Sequence, residues 1–217
     1  MRYKCVLYDF DGTIGDSVPC IIKSQQMAYE KVLGKCDRSF ENLLSYVGRP
    51  LIDTFSMHDG ETCKKLMDTY SEINLGFLKR GDVGFFPGVR EELLKLKEMG
   101  VKQGIVSSKR RSSLMLTLDN LGFSDFFDIL LTKEDTVLHK PDPAPLILAC
   151  ETLGVEISDM IYVGDARVDI ECARNAGADQ VFVEWSIMPR EDILKLKPTY
   201  VISEMKELSC IISDGEL

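Results

Sequence analysis

The stretch that decides the fold is CVLYDFDGTIGDS, Cys5 to Ser17. An apolar run from Cys5 to Tyr8 leads directly into Asp9 and Asp11, with Gly12 and Thr13 behind them. A short run that is nearly all apolar is the pattern of a strand buried on both faces. Two like charges at the end of such a strand repel each other and need a physical reason. Taken alone, the pair reads equally well as a turn made by Gly12 or as a site that holds a cation. An EF-hand loop does not fit, because the third acid is missing and the glycine comes too early.

Working outward, similar runs recur as QGIVS, DILLT, MIYVG, QVFVE and YVIS. Helical patterns separate most of them. GVREELLKLKEMG places Val89, Leu93, Leu94 and Leu96 at helical spacing and stops at Gly100. SSLMLTLDNLGF and APLILACETLGV also run into a glycine, and ARVDIECARNAG ends at Gly177. This alternation predicts an α/β fold with a doubly wound, parallel, Rossmann-like sheet. Residues 17–81 break the rhythm, with two helical patterns and no strand. The first pattern opens after DSVP, where an acid, a serine and an early proline serve as start signals. The predicted organisation is an α/β core of residues 1–16 and 82–217, with a helical cap inserted at 17–81 and GFFPGV as the return hinge.

Composition narrows the function. The chain of 217 residues is 45% hydrophobic, and no apolar run approaches the roughly 18 residues that span a membrane. The N-terminal apolar run is cut short by Asp9, which argues against a signal peptide and for a cytoplasmic protein. Seven cysteines, an odd number with no C-x-x-C pair, argue against a disulfide framework or a structural zinc site. The net charge of −9 argues against nucleic acid as a partner, since SSKRR is the densest basic run. A small anionic substrate remains compatible if cations gather locally.

Polar clusters follow the carboxyl ends of the predicted strands: Asp9 and Asp11; Ser107, Ser108 and Lys109; Lys140; and Asp165. Open parallel sheets bind ligands outside those ends. The chemistry these types suggest is phosphoryl transfer with a metal. Asp9 and Asp165 could supply carboxylates to Mg2+, which takes one or two carboxylates with water and phosphate. Asp9 can attack phosphorus, and Asp11 can exchange protons with the leaving oxygen and water. Ser107 can hydrogen-bond phosphate oxygens, and Lys140 can offset developing charge. Each piece also has a plainer reading. Asp165 suits a helix N-cap, Asp169 a solvated helix acid, Lys140 a surface lysine, and SSKRR a solvated helix start with a serine cap. Their joint placement at strand ends is what favours the site.

These residues resemble the motifs of the haloacid dehalogenase-like hydrolases, in the phosphoglycolate phosphatase-like branch with a helical cap. The resemblance runs over nearly the whole chain. DFDGTIGDS is similar to the first motif, VSSK to the second, KPDPAP to the third and VGDARVDIECARNAG to the fourth. It implies a magnesium-dependent phosphatase that hydrolyses a small phosphomonoester through an aspartyl-phosphate. Asp9 would then be the nucleophile and a metal ligand. Asp11 would be the acid/base, with its backbone carbonyl on the metal. Ser107 would bind the phosphoryl group, helped by backbone N–H groups near Gly12 and Ser108, and Lys140 would steady it. Asp165 would bind the metal directly, and Asp169 directly or through water. VGRPL would place Arg49 toward a substrate anion. Ser108 stands where relatives often carry Asn, a departure that bears on substrate range.

Within this class a pyrophosphatase or nucleotide phosphatase is the closest alternative. A phosphosugar mutase of the β-phosphoglucomutase type would use the same core, but residues 17–50 lack its His- and Lys-bearing segment. A non-catalytic binding module is disfavoured by the intact motif residues. A monomer or a homodimer is expected, with a small phosphorylated metabolite as substrate.

Overall fold

The computed structural model describes residues 1–214. Among them the six expected strands form one sheet: β1 (Cys5–Tyr8), β2 (Lys102–Val106), β3 (Ile129–Leu131), β4 (Met160–Gly164), β5 (Asp179–Val183) and β6 (Tyr200–Ile202). The order is β3-β2-β1-β4-β5-β6, and every neighbouring pair is parallel. Cys5 is level with Lys102 on one side and with Met160 on the other. The sequence thus winds outward from β1 in both directions, and the topological switch point lies between β1 and β4.

The apolar runs follow the strand period of two. Cys5, Leu7, Met160 and Tyr162 face one core, while Val6, Tyr8, Ile161 and Val163 face the other. The helices α7 (Ala144–Leu153) and α8 (Arg167–Ala176) cover the first face with Leu146, Ala149, Cys172 and Ala173. The helices α5 (Val89–Glu98), α6 (Arg111–Leu121) and α10 (Leu208–Asp214) cover the second. In α5 the stripe is Val89, Leu93 and Leu96, whereas Leu94 is 46% exposed. Leu94, also apolar, lies one residue off the i, i+4, i+7 row and turns to solvent. A short helix, α9 (Arg190–Leu194), packs Ile193 against Ile170 and Phe182.

The segment between β1 and α5 is helical throughout its regular structure. Its long helices are α1 (Val18–Leu33) and α4 (Gly60–Arg80), joined through α2 (Phe40–Leu44) and α3 (Leu51–Phe55). It has an apolar core of its own, built on Ile22, Tyr29, Leu43, Phe55 and Leu66. Asn74 of α4 donates to Ser24 of α1 at 3.3 Å inside that core. The outgoing and returning chains are stitched together: Gly15 bridges Phe85 antiparallel, Asp16 N–H donates to Gly84 O at 2.9 Å, and Phe86 N–H to Ile14 O at 3.1 Å. No described helix is long and apolar enough to cross a membrane.

The contrast within α5 is testable. Leu93→Ala should lower the unfolding free energy by about 2–5 kcal/mol in urea titration, and Leu94→Ala by less than about 0.5 kcal/mol. Equal effects would contradict the packing described here.

Candidate active site

The carboxyl ends of β1 and β4 meet at the switch point, and the candidate residues gather there. Asp9 continues the sheet beyond β1, its N–H donating to Val163 O at 2.9 Å. Asp165 follows β4 directly, and Asp169 sits in the first turn of α8. One carboxylate oxygen from each of Asp9, Asp165 and Asp169 lies within 4.8 Å of the other two, and each residue is buried. Two glycines make room for this crowding. Gly12 has φ +87°, and a Cβ there would stand 2.4 Å from Asp165 Oδ2. At Gly164 a Cβ would stand 2.3 Å from the Cβ of Asp169.

Lys140 is the buried cation of the cluster. Its Nζ is 2.7 Å from Asp169 Oδ1 and 3.1 Å from Asp9 Oδ1, and it donates to Tyr162 Oη at 3.2 Å. The ammonium is not aimed at Asp9 Oδ1, which has no hydrogen bond although it is fully buried. Burial alone would lower the Lys140 pKa, but Asp169 and Asp9 outweigh it and hold the pKa well above the usual lysine value. Both oxygens of Asp169 have a partner, since its Oδ2 accepts from Ala166 N–H at 3.0 Å. Asp165 accepts from Thr13 Oγ1 at 2.8 Å through Oδ1 and from Ser186 Oγ at 2.6 Å through Oδ2.

Burial, then the neighbouring carboxylates, pushes Asp165 up to about 8. Asp9 is pushed to about 6, again first by burial, with Lys140 opposing the rise and Asp169 and Asp11 adding to it. One ammonium does not balance these carboxylates. An unpartnered buried oxygen, an all-oxygen donor set and an excess of negative charge fit a hard divalent cation such as Mg2+.

Asp11 points elsewhere. Its Oδ1 accepts from Lys109 Nζ at 2.7 Å and from the Ser17 hydroxyl. Ser17 therefore stands at the N-cap of α1 without capping it. Lys109 is buried rather than part of a solvated helix start, and the N-cap of α6 is Arg110. Nor is Asp165 an N-cap, because Ala166 occupies that position of α8. Asp169, far from solvated, is 0% exposed. Ser107 is buried after β2, its N–H bonded to Leu131 O at 2.9 Å.

A cavity of about 200 Å³ opens beside Asp11, between the helical segment and the sheet. Arg49, Ser108, Lys109, Arg110 and Lys133 line it. Arg49 is exposed, with its guanidinium 5.9 Å from the Tyr46 ring centre, and stands on the cavity wall rather than among the carboxylates. His139 lines a smaller pocket behind Ser107 and Lys140.

The sequence alone does not single out Thr13, Tyr162 or Ser186. Tyr162 is hidden inside an apolar strand and carries no signal. Ser186 obeys the rule that finds the other residues, a polar group after a strand's carboxyl end, here β5.

Because the folded-state value of Asp165 lies above the ordinary 3.8, its contribution to stability is complete at low pH and is lost as pH climbs through about 8. In EDTA, Asp165→Asn should therefore raise Tm relative to the parent protein. The gain should be larger near about pH 8 than near about pH 5. A drop in Tm that deepens with pH would contradict this.

Residues 6–183 match the profile of the haloacid dehalogenase-like hydrolases. The chain is 37% identical over 212 residues to "Putative pyrophosphatase PpaX" of Caldanaerobacter subterraneus subsp. tengcongensis, covering 98% of this chain and 96% of that one. It is 33% identical over 210 residues to "Pyrophosphatase PpaX" of Bacillus velezensis, with 95% of each chain covered. A crystal structure from Haemophilus somnus, described as "a predicted phosphoglycolate phosphatase", matches with a TM-score of 0.87 at 22% identity, covering 97% of this chain and 98% of that one. The sheet order, the full-length relatives and the family match agree: the chain belongs to the haloacid dehalogenase-like hydrolases and is an enzyme of that family.

Proposed function

We propose that the protein is a magnesium-dependent phosphatase that works through an aspartyl-phosphate on Asp9, with the helical segment between β1 and α5 as its cap. The observation that carries this reading is the buried cluster of Asp9, Asp165 and Asp169 with Lys140 at 3.1 Å from Asp9. Asp9 and Asp165 are the residues that would hold the metal, with Asp169 behind them and bound to Lys140. When bound, the cation supplies positive charge against the phosphoryl oxygens.

In the proposed reaction the Asp9 carboxylate attacks phosphorus and the bond to the leaving oxygen breaks. Asp11 protonates that oxygen, then takes a proton from the water that cleaves the aspartyl-phosphate. Phosphate departs and Asp9 is restored. Lys140 offsets charge on Asp9 and on the transferring group, and Ser107 with the N–H groups near Gly12 and Ser108 binds its oxygens.

The cavity beside Asp11 supports an anionic leaving group. Arg49, Lys109, Arg110 and Lys133 line it, in a chain whose net charge is −9. Pyrophosphate has that character, because its leaving group is itself phosphate, and the names of the full-length relatives favour it. A carboxylate-bearing phosphomonoester such as phosphoglycolate is the second reading, favoured by the same cationic wall and the small cavity. The free cysteines support a reducing, cytoplasmic setting.

A phosphate-release panel with Mg2+ tests the proposal, using pyrophosphate, phosphoglycolate, nucleotides and a hexose phosphate. Pyrophosphate should give the highest kcat/KM, EDTA should abolish the rate, and Asp9→Asn should lower kcat at least about a thousandfold. Full activity in EDTA would sink the metal assignment. A higher kcat/KM for phosphoglycolate would select the second substrate. An isomerised sugar phosphate without phosphate release would make the enzyme a mutase.

A further inference from the structure

The loop that follows β5 reaches back to the acidic cluster. Ser186 Oγ accepts from Met188 N–H at 3.3 Å and donates to Asp165 Oδ2 at 2.6 Å. Ser186 is the donor in that bond, so the hydroxyl proton points at Asp165. Thr13 Oγ1 holds the other oxygen, Oδ1, at 2.8 Å. The two hydroxyls are themselves linked, because the Trp185 indole N–H donates to Thr13 O at 2.9 Å. Trp185 also packs on Phe86 of the returning chain, with ring centres 6.3 Å apart. Met188 extends the loop into the apolar core of the helical segment.

Asp165, Thr13, Trp185 and Ser186 thus form a closed ring around a carboxylate that is 1% exposed. Each hydroxyl takes one lone-pair site of Asp165 and leaves another on the same oxygen free. The rotation of the carboxylate is fixed from both sides while its capacity to bind a cation is kept.

We infer that Ser186 is a positioning residue for the divalent cation: together with Thr13, which Trp185 anchors, it sets the orientation in which Asp165 meets the metal. This inference rests on the reading of Asp165 as a metal ligand. Partners that orient a ligand in this way typically change metal affinity when they are removed, even though they never touch the metal.

The test is Mn2+ binding to the full chain, with Mn2+ alone as the probe. Free Mn2+ is read by electron paramagnetic resonance, and Tm in EDTA is recorded in parallel. Ser186→Ala should weaken Mn2+ binding by about 10–100-fold. Ser186→Thr, which keeps the hydroxyl, should restore it. Trp185→Phe keeps a ring and removes the N–H that anchors Thr13, so it should weaken binding in the same direction, and it carries the test if Ser186→Ala does not fold. A purely structural role would lower Tm in EDTA and leave Mn2+ affinity unchanged. Parental affinity in Ser186→Ala, or in Trp185→Phe where the alanine variant is unfolded, overturns this inference alone. Absence of Mn2+ binding by the parent protein overturns the metal reading of the site and this inference with it.

Discussion

Buried like charge is the constraint on which the structure turns. Asp9, Asp165 and Asp169 stand within 4.8 Å of one another, out of contact with bulk water. Water would screen such a group, but the interior does not, and each carboxylate raises the cost of ionising the next. One lysine, Lys140, reaches two of them. Burying charge without full compensation is costly, so the cluster has room for further positive charge.

The fold is arranged to hold that repulsion in place. Adjacent parallel strands deliver Asp9 and Asp165 side by side, and the first turn of α8 brings Asp169 beneath them. Gly12 and Gly164 leave the space that a side chain would otherwise fill. Hydroxyls from the β1 loop and the β5 loop fix Asp165, and a backbone N–H fixes Asp169. Asp11 is kept out of this group by Lys109 and Ser17, facing the cavity under the helical segment. The two aspartates that follow β1 therefore face different surroundings, which is the physical basis for giving them different roles.

Much of this was legible in the residues. The sheet could be read because each strand carries a short apolar run, and burial on both faces demands that pattern. The four sets of strand-end polar residues could be read because the switch-point rule says where side chains meet in such a sheet. Other features depend on contacts that sequence spacing does not encode. The helices α2 and α3 are five residues each, too short to set up a helical period. Leu94 looks like its core neighbours and differs from them only in angle around α5. Ser17 looks like a helix cap, yet Asp11 takes its hydroxyl. Ser186 and Lys109 gained their partners through tertiary packing, across 21 and 98 residues of chain.

The central claim is that Asp9 takes the phosphoryl group. The direct measurement is an acid quench of the enzyme turning over 32P-labelled pyrophosphate with Mg2+, followed by borohydride reduction and peptide mapping. The account predicts label on the protein in the quench and the reduced product at Asp9, with both lost in Asp9→Asn. Steady turnover with no protein-bound label at any quench time, or the reduced product mapped to another residue, would contradict it.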